Sequence, residues 1–466
     1  MKKITLPTGG FIFAITTLAL LPLLIVTACE NDDVSPVIPG PLLSFNTDTE
    51  VRVVAGEAAT VRPTFRPLTI APVGTTWSWK IISVPENSRV SLTSTDQSEV
   101  TLETDIPGKY QLELTGKLGL QVIVDTLVVK AYDETTLQGQ YQLLVEADGP
   151  IYDLYGYQNK LYAAGGFQTI GGVKAPGIAF YNETGWKPLG LGMEPGAYVA
   201  DMIEFQGDLY VVGYFSGPQE VTSPAVSRWD GTAWNAVPGL EVLWVQNDWG
   251  PLLVNSGTSL QVYKDNLYIG GYFRGRNLGS LQDYSVLKLD GNQLTGVLRL
   301  FNSLGNSGIR LEEYNGQLVA FNQYDKSISL FDGTVWQHMD IPIDANRYSY
   351  NMNAVHYKNK LLINTKTAIP QFQEEQVISD FFIWDQDQFQ EVYSPNNFMH
   401  TLEVVGEILF TGETNGIFTW DGQRWGVSKE GPKFSIDVIE SFQNQLFVAG
   451  TMNEGIYQIA VWQPLD

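Results

Sequence analysis

Three histidines, one cysteine and 51 acidic residues are the side chains from which a nucleophile, a proton relay or a metal site would have to be built. The histidines are His338, His356 and His400, spread over different parts of the chain. None stands in the His-Glu-x-x-His spacing that brings two imidazoles onto one helix face around zinc. Neither a Gly-x-Ser-x-Gly elbow nor a Gly-x-x-x-x-Gly-Lys phosphate loop occurs. Carboxylates are abundant, and a pair flanking a glycosidic bond is enough to cleave it, yet nothing singles out one pair. The sequence therefore assigns no catalytic residue, no metal ligand and no cofactor. A net charge of −23 repels phosphate-rich partners and argues against nucleic-acid binding.

The single cysteine has a telling position. Met1-Lys2-Lys3 opens the chain, an apolar stretch runs over 11–26, and Val-Thr-Ala-Cys closes it at 26–29. A basic start, an apolar middle and a small-residue end form a secretory signal, and the run is interrupted by Pro22 before it reaches spanning length. The final tetrapeptide resembles the lipobox of bacterial lipoproteins. That resemblance implies an acylated Cys29 at the mature N-terminus, held stably by two or more chains. Glu30, Asn31, Asp32 and Asp33 follow. They resemble the acidic export signal that Bacteroidota place after the lipidated cysteine of surface lipoproteins, which implies outer-membrane attachment facing the exterior. Val34–Pro41 is a Pro-rich tether.

The elements beyond the tether read as β throughout. Between about 42 and 135, period-2 alternation recurs in short runs such as 76–84, 99–104, 108–116 and 125–133. About seven short strands in this length suggest an immunoglobulin-like sandwich. Its TWSWKIISVPENSRVSL and TDIPGKYQLELTG segments resemble a PKD-type domain. Trp77 or Trp79 is expected between the sheets, and Tyr110 near a corner.

From 138 to 466 the chain repeats. Leu161, Leu209, Leu267, Leu318, Leu361, Leu409 and Leu446 each open the second strand of a strand–turn–strand unit, at the spacing of propeller blades. A second signature follows, as in RWDGTAW at 228–234 and TWDGQRW at 419–425. Its Asp-Gly supplies the positive φ of a tight hairpin, and its aromatics are expected between blades. The seventh repeat lacks a fourth strand, and the orphan strand 141–146 precedes the first. Their pairing would close a seven-bladed ring. The repeats resemble kelch and galactose-oxidase-type propellers. The copper centre of the latter is not implied, because its crosslinked cysteine is missing. Sialidase Asp-boxes are not matched either, because Asp and Gly are adjacent in SLFDGTVW.

Chemistry on such a scaffold belongs to the variable loops. The a–b and c–d turns are short, and length variation falls on the opposite face. Trp244, Trp249, Arg274, Arg276, Arg347, Tyr348, Tyr350 and Phe372 lie there and are the candidate ligand or partner contacts.

The expectation is an all-β lipoprotein in four parts: signal peptide 1–28, lipidated cysteine and tether 29–41, PKD/Ig-like β-sandwich 42–135, and seven-bladed β-propeller 138–466. Its expected role is that of a non-catalytic accessory or scaffolding subunit of an outer-membrane complex. Surface glycan binding for nutrient uptake is the alternative, and a glycan-degrading hydrolase or lyase is a third reading.

Overall fold

The computed structural model describes residues 45–46, 51–65, 71–134 and 139–464, the last with interruptions in short loop segments. Cys29 and the Glu30–Asp33 signal lie outside the described residues.

Seven antiparallel blades make up most of the described part of 139–464, each counted a to d from the centre outward, and Trp244–Asn247 with Gly250–Leu253 forms a separate hairpin. Blade 1 has strands Ile151–Tyr157, Lys160–Gly165, Ile178–Asn182 and Gly185–Pro188. Blades 2 to 6 repeat that order. Their innermost strands are Tyr198–Phe205, Ser256–Tyr263, Ile309–Tyr314, Tyr348–Tyr357 and Thr401–Val405. Blade 7 takes a, b and c from Ser435–Phe442, Gln445–Met452 and Ile456–Pro464. Its fourth strand is Gly139–Ala147, which pairs antiparallel with Ile456–Pro464 from Gly139↔Pro464 to Ala147↔Tyr457, and the short strands Thr169–Ile170 and Val173–Lys174 lie beyond it. The innermost strands contact one another in chain order, and the seventh returns to the first. The molecule is thus a closed β-propeller, and the closing pair is the one the orphan strand required.

Local chemistry explains the blade. Blade 6 has positive φ in its a–b turn at Gly406 alone, and the other six a–b turns have it at both central residues, as at Gln158 and Asn159, Lys264 and Asp265, and Lys358 and Asn359. That is the type I′ geometry whose twist suits a two-residue hairpin. In the c–d turns of blades 2, 4 and 6 a side-chain carboxylate does the work, and in blade 1 the Asn182 side-chain oxygen takes its place. Asp230 accepts hydrogen bonds from the Thr232 and Ala233 amides, both at 2.9 Å, and Asp332 accepts from those of Thr334 and Val335. The Thr232 and Thr334 hydroxyls, which donate to the same carboxylates at 2.7 Å, and then these amides lower both carboxyl pKa values, that of Asp332 to about 2.

Residues 51–134 form two further groups of strands. Thr76–Ser83, Gly108–Leu118, Gln121–Glu134 and Val51–Val54 make one sheet. Ala58–Val61, Val100–Glu103 and Leu92–Thr93 make the other. Trp79 is buried with Tyr110, Leu112, Leu114, Leu127 and Val129, and Trp77 packs at the margin. The central hairpin is longer than the alternation suggests. Gly116 reads as a strand end, yet it pairs with Trp77 on one side and Ile123 on the other. Two flanking strands hold an extended backbone that a glycine alone would not.

The longest strand of that sheet runs into the propeller. Asp133 and Glu134 pair in parallel with Gly426 and Val427 of blade 6 strand d. Tyr132 packs against Phe418, and Arg424 lies 3.5 Å from Asp133. Gly426 comes directly after the c–d turn, and strand 121–134 runs the same way as strand d. Residues 121–132 therefore project beyond the tight-turn face. The N-terminal sheets emerge on that side, and the long-loop face points the other way.

Candidate functional site

The seven aligned leucines fix the register of the innermost strands. Eight residues before each stand Asp153, Asp201, Ser259, Arg310, Asn353, Thr401 and Val438. Six before each stand Tyr155, Ile203, Gln261, Glu312, Val355, Glu403 and Glu440. These two layers hold five carboxylates and one cation around the axis of the ring.

An innermost strand is a sheet edge, so its axial N–H and C=O groups lack ladder partners. The preceding blade supplies them. Asp153 accepts the Met202 amide at 2.9 Å, and Asp201 accepts the Leu260 amide at 2.6 Å. Thr258 Oγ1 accepts the Ile309 amide at 2.9 Å. One layer along, the Tyr155 hydroxyl accepts the Glu204 amide at 3.0 Å, and Glu312 accepts that of His356. Glu440 of blade 7 accepts the Gly156 amide of blade 1 at 3.2 Å, which carries the stitching across the closure.

A third rung is aromatic. Tyr157, Tyr263, Tyr314 and Tyr357 donate their hydroxyls to Gly207, Gly316, Asn359 and Glu407, carbonyls in the next blade's a–b turn. The signature aromatic of that next blade packs on the same ring. Tyr314 and Trp384 have centroids 5.0 Å apart, and Tyr357 and Trp420 5.3 Å. Trp186, Trp234, Trp384, Trp420 and Trp425 are all buried.

Glycine permits this arrangement. The innermost strands of blades 1, 2, 3 and 7 carry a bulge immediately before their aligned residue. A Cβ on Gly165, Gly213 or Gly450 would stand within 2.0 Å of the carbonyl oxygen of Pro150, Tyr198 or Ser435. The glycine of the Leu-aromatic-x-x-Gly motif thus accommodates the bulge, and the bulge turns residues such as Asp201 toward the next blade.

Electrostatics follow from enclosure. The five carboxylates touch solvent only in part and have protein on their remaining sides. Burial is the leading cause that raises each pKa. Asp201 is pushed to about 6, Glu440 to about 7, and Glu312 and Glu403 to about 8. Asp153 is raised as well, by burial and by the neighbouring Asp201, while Arg310 opposes the shift. At neutral pH several of these carboxyls keep their protons, so a ring dense in acid need not repel itself. Among the described residues, no group of three or more His, Cys, Asp or Glu is arranged to hold a metal ion.

The three histidines take separate roles. His400 lies 3.2 Å from Asp437, His338 is 3.9 Å from Asp340, and His356 packs edge-on against Tyr314.

The long-loop face is built differently. Between blades 1 and 2 it is tied by individual contacts. Gln219 donates to the Leu191 and Met193 carbonyls at 2.7 and 3.0 Å, and Glu220 accepts the Leu191 amide at 2.6 Å. Glu194 accepts the Ser216 amide. Blade 5 has long b and c strands on this face. Its b and c strands, Lys360–Ile369 and Gln376–Asp385, pair out to Ile369↔Gln376. What the sequence presents as a long b–c loop is largely hairpin, because β-branched residues at 363, 365, 367, 369, 377 and 378 suit a ladder.

The sequence candidates fall on this face in three ways. Tyr348 and Tyr350 lie on the extended first strand of blade 5, with Tyr348 opposite Ala368. Trp244 opens a small hairpin, opposite Leu253. Arg274 is engaged within blade 3, where it donates to Asp283 and, at 3.2 Å, to the Tyr272 hydroxyl. Trp249, Arg276, Arg347 and Phe372 lie outside the described residues. The axial carboxylates were not singled out from sequence. Their signal was present in the fixed offset from the aligned leucine, but their chemistry differs from blade to blade.

No protein-family model matches the chain, and no curated protein does. Among solved structures it resembles the extracellular domain of a hybrid two-component system from B. thetaiotaomicron, at 12% identity and a TM-score of 0.45. That match covers 70% of this chain and 39% of the other. YCF48 from Cyanidioschyzon merolae matches at 9% identity and a TM-score of 0.43, over 69% and 98% of the two chains. The β-propeller domain of the Trilobed protease from Pyrococcus furiosus matches at 10% identity and a TM-score of 0.32, over 58% and 83%.

Proposed function

We propose that this protein is an outer-membrane lipoprotein of the cell surface, held by an acylated Cys29, whose propeller is a non-catalytic binding subunit of a membrane complex. Residues 42–135 act in this reading as an immunoglobulin-like, PKD-type spacer. The Tyr110 hydroxyl donating to the Ile106 carbonyl at 2.6 Å supports it, being the bond of a tyrosine corner. The repeats are read as relatives of kelch-type propellers.

One observation carries the functional reading. The strand Gln121–Glu134 joins blade 6 beside its c–d turn, so the spacer leaves from the tight-turn face. An anchor upstream of the spacer then directs the long-loop face away from the attachment point. Trp244, Tyr348 and Tyr350 lie on strands of that outward face. Asp153, Asp201, Glu312 and Glu440 have structural duties as acceptors between blades, and the loops are the surface that varies from blade to blade.

Affinity capture of the tagged, acylated protein from detergent-solubilised outer membranes tests this. A stoichiometric membrane partner that is lost on trimming the blade 5 hairpin supports the proposal. Recovery of the protein alone, together with retention on a polysaccharide gel, would replace it with glycan binding. Release of product from a polysaccharide would replace both with hydrolase or lyase activity.

A further inference from the structure

The pole of the N-terminal sheets farthest from the propeller carries a second surface. The hairpin between Gly108–Leu118 and Gln121–Glu134 ends in a turn with Leu120 fully exposed at 103%. The neighbouring turn before Thr76–Ser83 presents Val73 at 99%. The Thr75 hydroxyl donates to the Pro72 carbonyl at 2.7 Å and shapes that turn. The two turns adjoin, since Thr76 pairs with Lys117 and a Cβ on Gly74 would lie 3.9 Å from Leu118. Val122 and Val124 continue the apolar side at 55% and 54% exposure.

Charge sets this tip apart. The chain carries 51 acidic residues, yet 71–79 and 114–124 contain none, and Lys117 lies among them; Lys80 stands farther back, opposite Glu113. An apolar tip with Lys117 beside it fits a lipid surface, where apolar side chains enter the interface and cations meet headgroup phosphates. Twelve residues separate Gln121 from Asp133, so the tip stands roughly 40 Å along the strand from blade 6.

Chain length allows the contact. The 14 residues from Cys29 to Leu42 reach up to about 45 Å when extended. Val51, opposite Val129, starts a strand that runs toward the propeller. The N-terminal end of that strand therefore faces the side of the tip.

We infer that Val73, Leu120, Val122 and Val124 form a membrane-contacting tip that dips into the lipid headgroup region beside the anchor. The inference rests on the acylated Cys29 of the preceding reading. It gives the protein two points of contact with the membrane, so that the loop face is held away from it at a defined height.

The chain's single cysteine provides the test. In the acylated full-length L120C and V73C variants, only the introduced thiol is free to take an environment-sensitive fluorophore. L191C, at a residue 61% exposed on the long-loop face, is the control. The proteins are bound to phosphatidylethanolamine–phosphatidylglycerol vesicles containing doxyl-labelled lipid. Labels at 73 and 120 should shift to the blue and be quenched several-fold more than the label at 191. Equal, solvent-like emission at all three sites, with one thiol labelled per chain, would overturn the tip while leaving the anchor in place. Two labelled thiols would show Cys29 free and remove the anchor on which the tip depends. A blue shift without vesicles that grows with protein concentration would assign the tip to contact between copies and overturn the membrane reading.

Discussion

The two faces of the propeller solve the same problem with different chemistry. On the tight-turn face one device recurs. A tyrosine reaches into the next blade's turn, an aromatic of that blade packs on its ring, and a polar side chain turns the c–d hairpin. On the long-loop face the bulge glycines recur in blades 1, 2, 3 and 7, but the side-chain ties from blade to blade are particular, as with Gln219, Glu220 and Glu194 between blades 1 and 2. Repetition marks what the ring needs in order to close, and variety marks where the blades are free to differ. The same contrast places the repeated packing at one end and the blade-specific ties at the other.

The comparison can be broken most forcefully at Trp420, which is buried between Tyr357, Phe381 and Trp425. W420A should cost about 3–5 kcal/mol, read as a lowered denaturant midpoint. An unchanged midpoint would remove the aromatic pair from the account of closure. G213A comes next, since its Cβ would meet the Tyr198 carbonyl at 2.0 Å. A loss of roughly 1–3 kcal/mol in the same assay is expected, while the blade 5 hairpin, far from that bulge, keeps its native hydrogen-exchange protection.

The axial acids sharpen the comparison through pH. Glu312 and Glu403 titrate at about 8 in the fold, above their unfolded range. A folded pKa raised in this way adds stability that is complete below about pH 4 and is lost as pH rises through the folded value. The thermal midpoint should therefore fall between pH 5 and pH 9. In E312Q, which keeps an acceptor for the His356 amide, the fall should be shallower. An identical slope in the variant would assign the pH dependence elsewhere.

Smaller effects follow. Y357F removes only the hydroxyl that donates to Glu407 at 2.7 Å and should cost about 0.5–1.5 kcal/mol. W244A, on the loop face, should leave the unfolding midpoint within about 0.5 kcal/mol of the parent and weaken capture of the partner proposed above. A large stability loss there would mean that the loop face also holds the ring together.

Much of this architecture was legible along the chain. The leucine period, the Asp-Gly turns and the orphan strand at 141–146 state a ring of repeats and its closing pair, because each is a local or periodic signal. Alternation around Trp79 and Tyr110 likewise reveals a β core. The roles of Asp153, Asp201 and Glu312 were not legible, because an acidic residue inside a strand reads as solvated until its neighbour strand is in place. The partnership of Arg274 with Asp283 was equally hidden, since register brings them together across a hairpin. Sequence alone determined the β class, the repeat and the turn chemistry, all of which arise from contacts within a few residues or from periodicity. Only the tertiary structure decided that the edge amides of one blade are answered by the carboxylates of another. It alone also decided that the strand 121–134 leaves from the tight-turn face, because both depend on which distant strands become neighbours.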